Sequence, residues 1–145
     1  MLKVFICYGG SKGGRVGAEL RKFLRNEGID AFLASPRSPD IPSGIDFRNI
    51  IFQKLKSSDL MVPICDSGIH RSRPALEEID FALDNRIPII PFVRKRCRVP
   101  RQIKNLWFPV RFDPSNPEEK FPQLLLEIYR RMDWERELHE DTDVN

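Results

Sequence analysis

Val4-Phe5-Ile6-Cys7-Tyr8, then Gly9-Gly10-Ser11-Lys12-Gly13-Gly14, then an amphipathic run ending in Ala31-Phe32-Leu33-Ala34: this stretch decides the fold. Its first block is short, continuous and apolar, as a strand covered on both faces requires. The glycine-rich block breaks it. Val16, Leu20, Phe23 and Leu24 then recur at i, i+4, i+7 and i+8, the period of a helix with one buried face, and Gly28 supplies a C-terminal stop. Ala31 to Ala34 is a second strand. Strand, helix and strand in this order form a βαβ unit, whose strands lie parallel.

The pattern continues outward. Residues 35–44 contain Pro36, Pro39 and Pro42 and show no apolar period, so they form a long loop. Phe47, Ile50, Ile51 and Leu55 mark a second helix, with Asp46 near its start where negative charge suits the helix dipole. Leu60 to Cys65 is a third strand, in which Pro63 removes a ladder donor and argues against a fully central place. Pro74 suits the first turn of a helix running to about Asn85. Ile87 to Val93 is a fourth strand whose two prolines imply partial pairing, and Leu106 to Phe112 a fifth. A last helix opens at Asn116-Pro117 and carries the stripe Phe121, Leu124, Leu125, Ile128, Tyr129 and Met132. This alternation predicts an α/β, flavodoxin-like three-layer sandwich: a parallel sheet of about five strands, order 2-1-3-4-5, flanked by helices. Ligands of such sheets bind beyond the strand carboxyl ends, here the loops after strands one, two and three.

Composition narrows the class. Hydrophobic residues are 41% and charged residues 31% of 145, which excludes wholesale disorder. Residues 1–134 are expected to form a single domain. Residues 135–145 hold five acids and one base without an apolar period and are expected to be a disordered acidic tail. No apolar run approaches the ~20 residues that span a bilayer, and the first residues do not fit a signal peptide. Cys7, Cys65 and Cys97 form no CxxC pair, and His70 and His139 lie far from any ligand spacing. Reduced thiols in a cytoplasmic protein without a metal are therefore expected. Arg94, Lys95, Arg96, Arg98, Arg101 and Lys104 form a basic run with no aromatic residue until Trp107. It could contact nucleic acid or phosphate, but without aromatic interleaving it reads as a solvated loop or a partner contact.

Three loops can carry chemistry. Residues 9–14 read G-G-S-K-G-G, which is neither GxGxxG nor a Walker A frame. A flexible turn and a phosphate-approaching loop fit them about equally, with Lys12 and Arg15 favouring phosphate. The prolines of 35–44 suggest a stiff, presented surface. In the third helix, a wheel at ~100° per residue points Leu76, Ile79 and Leu83 to the core, Glu77 to solvent, and Glu78 to a flank beside Ala75 and Ala82. Small neighbours would leave a hollow around that carboxylate. Glu78 is thus the candidate functional acid, although a surface charge remains the simpler reading of any helix glutamate.

The chain resembles the TIR (Toll/interleukin-1 receptor) domain family, in its stand-alone prokaryotic form. Val4 to Tyr8 is similar to the family's opening "VFISY" strand, and Asp40-Ile41-Pro42-Ser43-Gly44 to "D-I-P-x-G". Ile51 and Leu55 fit the helix that follows, and Ser58-Asp59 the "S-D" entry to strand three. Ala75 to Ala82 resembles "C-L-x-E-L-x-x-A", and Ile87 to Pro91 "P-V-I-P". The resemblance spans about residues 2–112. It implies an NAD hydrolase or cyclase that cuts the nicotinamide–ribose bond, giving nicotinamide and ADP-ribose or a cyclic isomer, in defence or immune-type signalling.

On this resemblance the catalytic residue is Glu78. The dinucleotide-binding set is Tyr8, Gly9, Gly10, Ser11, Lys12 and Arg37, with pyrophosphate against Gly9, Gly10 and Lys12 and a ring against Tyr8. NAD is substrate; no cofactor is implied. Partners would be further copies of the chain, through loop 35–44, and a separate sensor or effector protein; neither a membrane nor nucleic acid is implied. Other readings are a non-catalytic TIR adaptor and, more remotely, a nucleoside deoxyribosyltransferase-like enzyme. The chain departs from the family pattern at Cys7, where Ser is frequent, in its glycine-rich turn, where Ser-Lys-Asp is commoner, and at Pro74-Ala75, where Trp-Cys is usual. An aromatic pocket wall is then absent or supplied elsewhere.

Overall fold

A computed structural model describes residues 1–35, 43–106 and 109–144. Five strands, β1 (Lys3–Cys7), β2 (Asp30–Leu33), β3 (Leu60–Cys65), β4 (Phe92–Arg94) and β5 (Val110–Phe112), pair in parallel in the order β2-β1-β3-β4-β5. Four helices complete the chain: α1 (Ser11–Asn26), α2 (Phe47–Lys56), α3 (Arg73–Asp84) and α4 (Phe121–Val144). This is the expected flavodoxin-like sandwich.

Strand pleating sorts the core into two halves. Val4 and Ile6 of β1 face one side, with Leu20 and Leu24 of α1 and Leu124 and Ile128 of α4. Phe5 and Cys7 face the other, with Ile51 and Leu55 of α2 and Ile79 and Ala82 of α3. Successive residues alternate faces, so a continuous apolar strand serves both layers.

Local signals end the elements where the chemistry demands. Gly28 sits at φ +82°, and the N–H groups of Gly28 and Ile29 donate to the carbonyls of Arg25 and Leu24, closing α1. Asp46 caps α2 by accepting from the Asn49 N–H at 3.4 Å, and Ser72 caps α3 by accepting from the Ala75 N–H at 3.2 Å.

Several expectations need correction. Pro63 does not exclude a central strand: β3 lies between β1 and β4, and all six of its residues are buried. Met61 exchanges backbone hydrogen bonds with Pro88 and Ile90, and alternation turns Pro63 the same way. Its missing donor thus falls where Pro88 and Pro91 have already interrupted the neighbouring ladder. The fourth strand accordingly shrinks to Phe92–Arg94, with one isolated bridge between Met61 and Ile89. The glycine-rich block is not a loop but the N-cap and first turn of α1, with the Gly14 N–H donating to the Gly10 carbonyl at 2.8 Å. Finally, α4 runs on through the acidic stretch expected to be a frayed tail. Gly and Pro are absent beyond Pro122, and Arg131–Glu135 (2.8 Å) and Arg136–Asp133 add helix-spaced ion pairs.

One backbone approach fixes the rim. A Cβ added to Gly9 would lie 2.4 Å from the Ile69 Cα and 2.5 Å from the Gly68 carbonyl oxygen. The turn after β1 therefore lies flush on the turn after β3. At Gly10 the nearest atom to such a Cβ is the Gly68 Cα, at 3.7 Å. We expect Gly9→Ala to lower the unfolding free energy by at least ~2 kcal/mol in urea titrations. Gly10→Ala, an N-cap change, should cost under ~1 kcal/mol.

Candidate functional site

A hollow of about 350 Å³ opens at the carboxyl edge of the sheet between α2 and α3, with Tyr8, Gly9, Phe47, Arg48, Phe52 and Glu78 among its lining residues. Three elements deliver these groups. The end of β1 supplies Tyr8 and Gly9. Asp46 starts α2 so that Phe47, Arg48, Ile51 and Phe52 form the second wall. Ser72 starts α3 so that Glu78, in its second turn, comes to the hollow.

Glu78 is 7% exposed, and its Oε1 atom is out of contact with solvent and has no hydrogen-bond partner. Burial, with a smaller contribution from the neighbouring Glu77 charge, raises its pKa to about 8. The carboxyl is thus mostly protonated at neutral pH. Cys7 lies close by: its thiol donates to the Ala75 carbonyl at 3.6 Å, and burial followed by the Glu78 charge pushes it well up.

The buried face of α3 is turned by one position from the expected wheel. The buried face of α3 is Ala75, Glu78, Ile79 and Ala82, while Leu83 is 39% exposed and Leu76 only partly covered. Size misled the assignment: the two alanines face the sheet layer, and the larger leucines are left at the edges. Glu77 is correspondingly not a free surface charge. It lines the hollow, accepts from Arg48 of α2 at 2.8 Å and Arg73 at 3.1 Å, and ties the two helices together.

The other residues of the expected binding set divide. Tyr8 and Gly9 share the hollow with Glu78. Lys12 does not: it lines a second hollow of about 380 Å³ with Arg15, Asp66 and Arg94, on the α1 side. Gly10 and Ser11 cap and begin α1 and line neither hollow. Arg37 and residues 36–42 of the proline loop lie outside the described residues, as do Trp107 and Phe108.

Sequence reasoning missed Arg48 and Phe52. Their signal was available, since both fall on the α2 face next to the stripe Phe47, Ile51 and Leu55. Phe52 packs against Phe81 of α3 with ring centroids 5.0 Å apart, and the Arg48 guanidinium sits 5.6 Å above the Phe52 ring. The aromatic wall lost at Pro74-Ala75 is therefore supplied by α2. Among the described residues no cluster of His, Cys, Asp and Glu could hold a metal ion, and no helix is long and apolar enough to cross a membrane.

Comparisons with known proteins agree on the fold. A family model described as "TIR domain" matches residues 4–126. The TIR domain of the Toll-related receptor TRR-2 from Hydra magnipapillata superposes with a TM-score of 0.66 at 19% identity, covering 88% of this chain and 97% of that one. The TIR domains of the activated Roq1 resistosome, which directly recognises the pathogen effector XopQ, give 0.57 at 14% identity, covering 91% and 77%. A conserved protein from Enterococcus faecalis gives 0.53 at 14% identity, covering 85% and 98%. At these identities the solved structures show a shared fold. No curated protein matches the chain.

The buried acid has a thermodynamic signature. With a folded pKa of about 8 against 4.5 when unfolded, Glu78 favours the native state fully only below pH 4.5, and that contribution drains away as pH rises through 8. The loss attributable to Glu78 between pH 5 and 8 is ~3 kcal/mol. In denaturant titrations across this window, Glu78→Gln should lose that much less stability than wild type. Parallel pH profiles would refute the buried acid.

Proposed function

The chain belongs to the TIR-domain family, and on that premise we propose that it cleaves NAD at the nicotinamide–ribose bond, with Glu78 as the catalytic residue. The observation that carries this reading is the unpartnered, buried carboxyl of Glu78 in a hollow with aromatic and aliphatic walls. Leaving a carboxyl in that state is costly unless a ligand satisfies it.

The chemistry asks little more of the protein. The nicotinamide ring of NAD is cationic, and when the C1′–N bond breaks its electron pair returns to the ring. Nicotinamide departs neutral and needs no general acid. The ribose is left with oxocarbenium character at C1′, which a nearby carboxylate stabilises. Water then adds at C1′ and releases a proton, giving ADP-ribose; capture by a nitrogen of the adenine ring gives a cyclic isomer instead. Glu78 takes the carboxylate role in this reading, and Tyr8, Phe47 and Phe52 offer surfaces against which a ring can pack.

Electrostatics links binding to ionisation. Burial keeps Glu78 protonated near neutrality. A pyridinium cation placed beside it favours the ionised form and lowers its pKa. The positive charge of the substrate thus generates the base form that its own cleavage needs, which also discriminates against uncharged nucleosides. Glu77 opposes this, because its negative charge raises the Glu78 pKa.

Purified, concentrated protein should release nicotinamide from NAD, read by chromatography that separates linear from cyclic products. Glu78→Gln should reduce turnover at least ~100-fold with folding intact. No release at any concentration would favour an adaptor that works through protein contacts. The kcat/KM profile, which reports the free enzyme, should rise with pH to a midpoint near 8, and the kcat profile should rise at lower pH. Glu77→Gln should shift the kcat/KM midpoint to lower pH; an unmoved midpoint would remove Glu77 from the electrostatics of the site.

A further inference from the structure

The basic run 94–104 acquires a shape once the chain is folded. Arg98, Arg101 and Lys104 from this run and Arg111 from β5 surround a third hollow, of about 510 Å³, with Cys97 and His70 completing its polar lining. It shares no lining residue with the hollow of Glu78. Among the described residues none that lines it is acidic, and none of the four cations is ion-paired.

The scaffold that holds these charges is specific. Cys97 donates its N–H to the Arg94 carbonyl, and Arg96 adopts φ +71°, so the chain turns sharply between Arg94 and Arg98. Arg111 donates through Nη1 to the Cys97 carbonyl at 3.0 Å. His70, in the short turn Ile69–Arg71 after β3, meets the Arg98 carbonyl at 2.8 Å. Two side chains, one from β5 and one from the turn after β3, therefore pin the backbone of the run around the hollow.

Four like charges facing one concavity repel each other, and that cost is relieved when an anion enters. We propose that this hollow binds a compact, multiply charged phosphate group of the diphosphate class. The ligand class is set by charge rather than by volume: four cations suit a group that carries several negative charges. Guanidinium forks match phosphate oxygens in pairs, which favours arginine over lysine at such a position. A nucleic-acid strand would instead use a longer track with aromatic platforms for bases, and among the described residues no Phe, Tyr or Trp lines the hollow. The proposal is independent of the NAD reading, since it needs neither Glu78 nor turnover.

Isothermal titration of the full chain with inorganic pyrophosphate, in low and moderate salt, tests it. We expect one saturable site that weakens with salt. Arg98→Ala together with Arg101→Ala, both exposed and so tolerated by the fold, should weaken binding at least ~10-fold. Glu78→Gln should leave it within ~2-fold, which keeps this result distinct from the fate of the catalytic proposal. Sulfate, with a single compact charge centre, should bind at least ~10-fold more weakly than pyrophosphate. Absence of saturable pyrophosphate binding, or binding indifferent to the arginine pair, overturns the site. Tight binding of a 20-nucleotide single strand with none of pyrophosphate overturns it in favour of nucleic acid.

Discussion

A helix that carries a carboxyl group into the interior must be held there by contacts strong enough to offset lost hydration. In this chain the contacts are Ala75, Ile79 and Ala82 of α3, packed in the core half that also contains Phe5 and Cys7 of β1. Two of the three are methyl side chains. They allow close approach, and Glu78, on the same face, is drawn below the surface with them. The raised pKa, the bare Oε1 atom and the Glu77 bridge to Arg48 and Arg73 all follow from this seating. A bulkier pair at 75 and 82 would lift the helix and return Glu78 to water.

Much of the architecture was legible in the sequence because its signals are local and redundant. β1 and β3 lie in short, largely apolar runs, each helix has a stripe, and Gly28, Asp46 and Pro74 mark ends. What escaped was non-local. Whether Pro63 is tolerated depends on which neighbour its missing donor faces, and that neighbour lies some 25 residues away. The rotation of α3 depends on how near the helix comes to the sheet, and hydrophobicity ranks Leu83 above Ala82 without knowing that distance. The extension of α4 through an acidic stretch rests on charge pairs at helical spacing rather than on burial.

The site was partly legible for the same reasons. Glu78 was singled out by its small neighbours and by its place in a family motif. Tyr8 and Gly9 followed from lying at a strand end. Lys12, expected beside Gly9 and Gly10, sits instead in the first turn of a helix and lines the second hollow. Arg48 and Phe52 went unnoticed because α2 was read only for its core stripe. The fold comparisons, at 14–19% identity, carry architecture across distant chains without carrying side chains, so the local chemistry has to be argued from these residues themselves.

The flush contact of Gly9 on Gly68 and Ile69 leaves no room for a methyl group between the two turns. Gly9 lines the acid-bearing hollow, so that part of its wall is held in place. The hollow of Lys12 and Asp66 shares no lining residue with it. Each can therefore change its lining residues separately, and a chain so partitioned is free to refine one chamber while the other stays as it is.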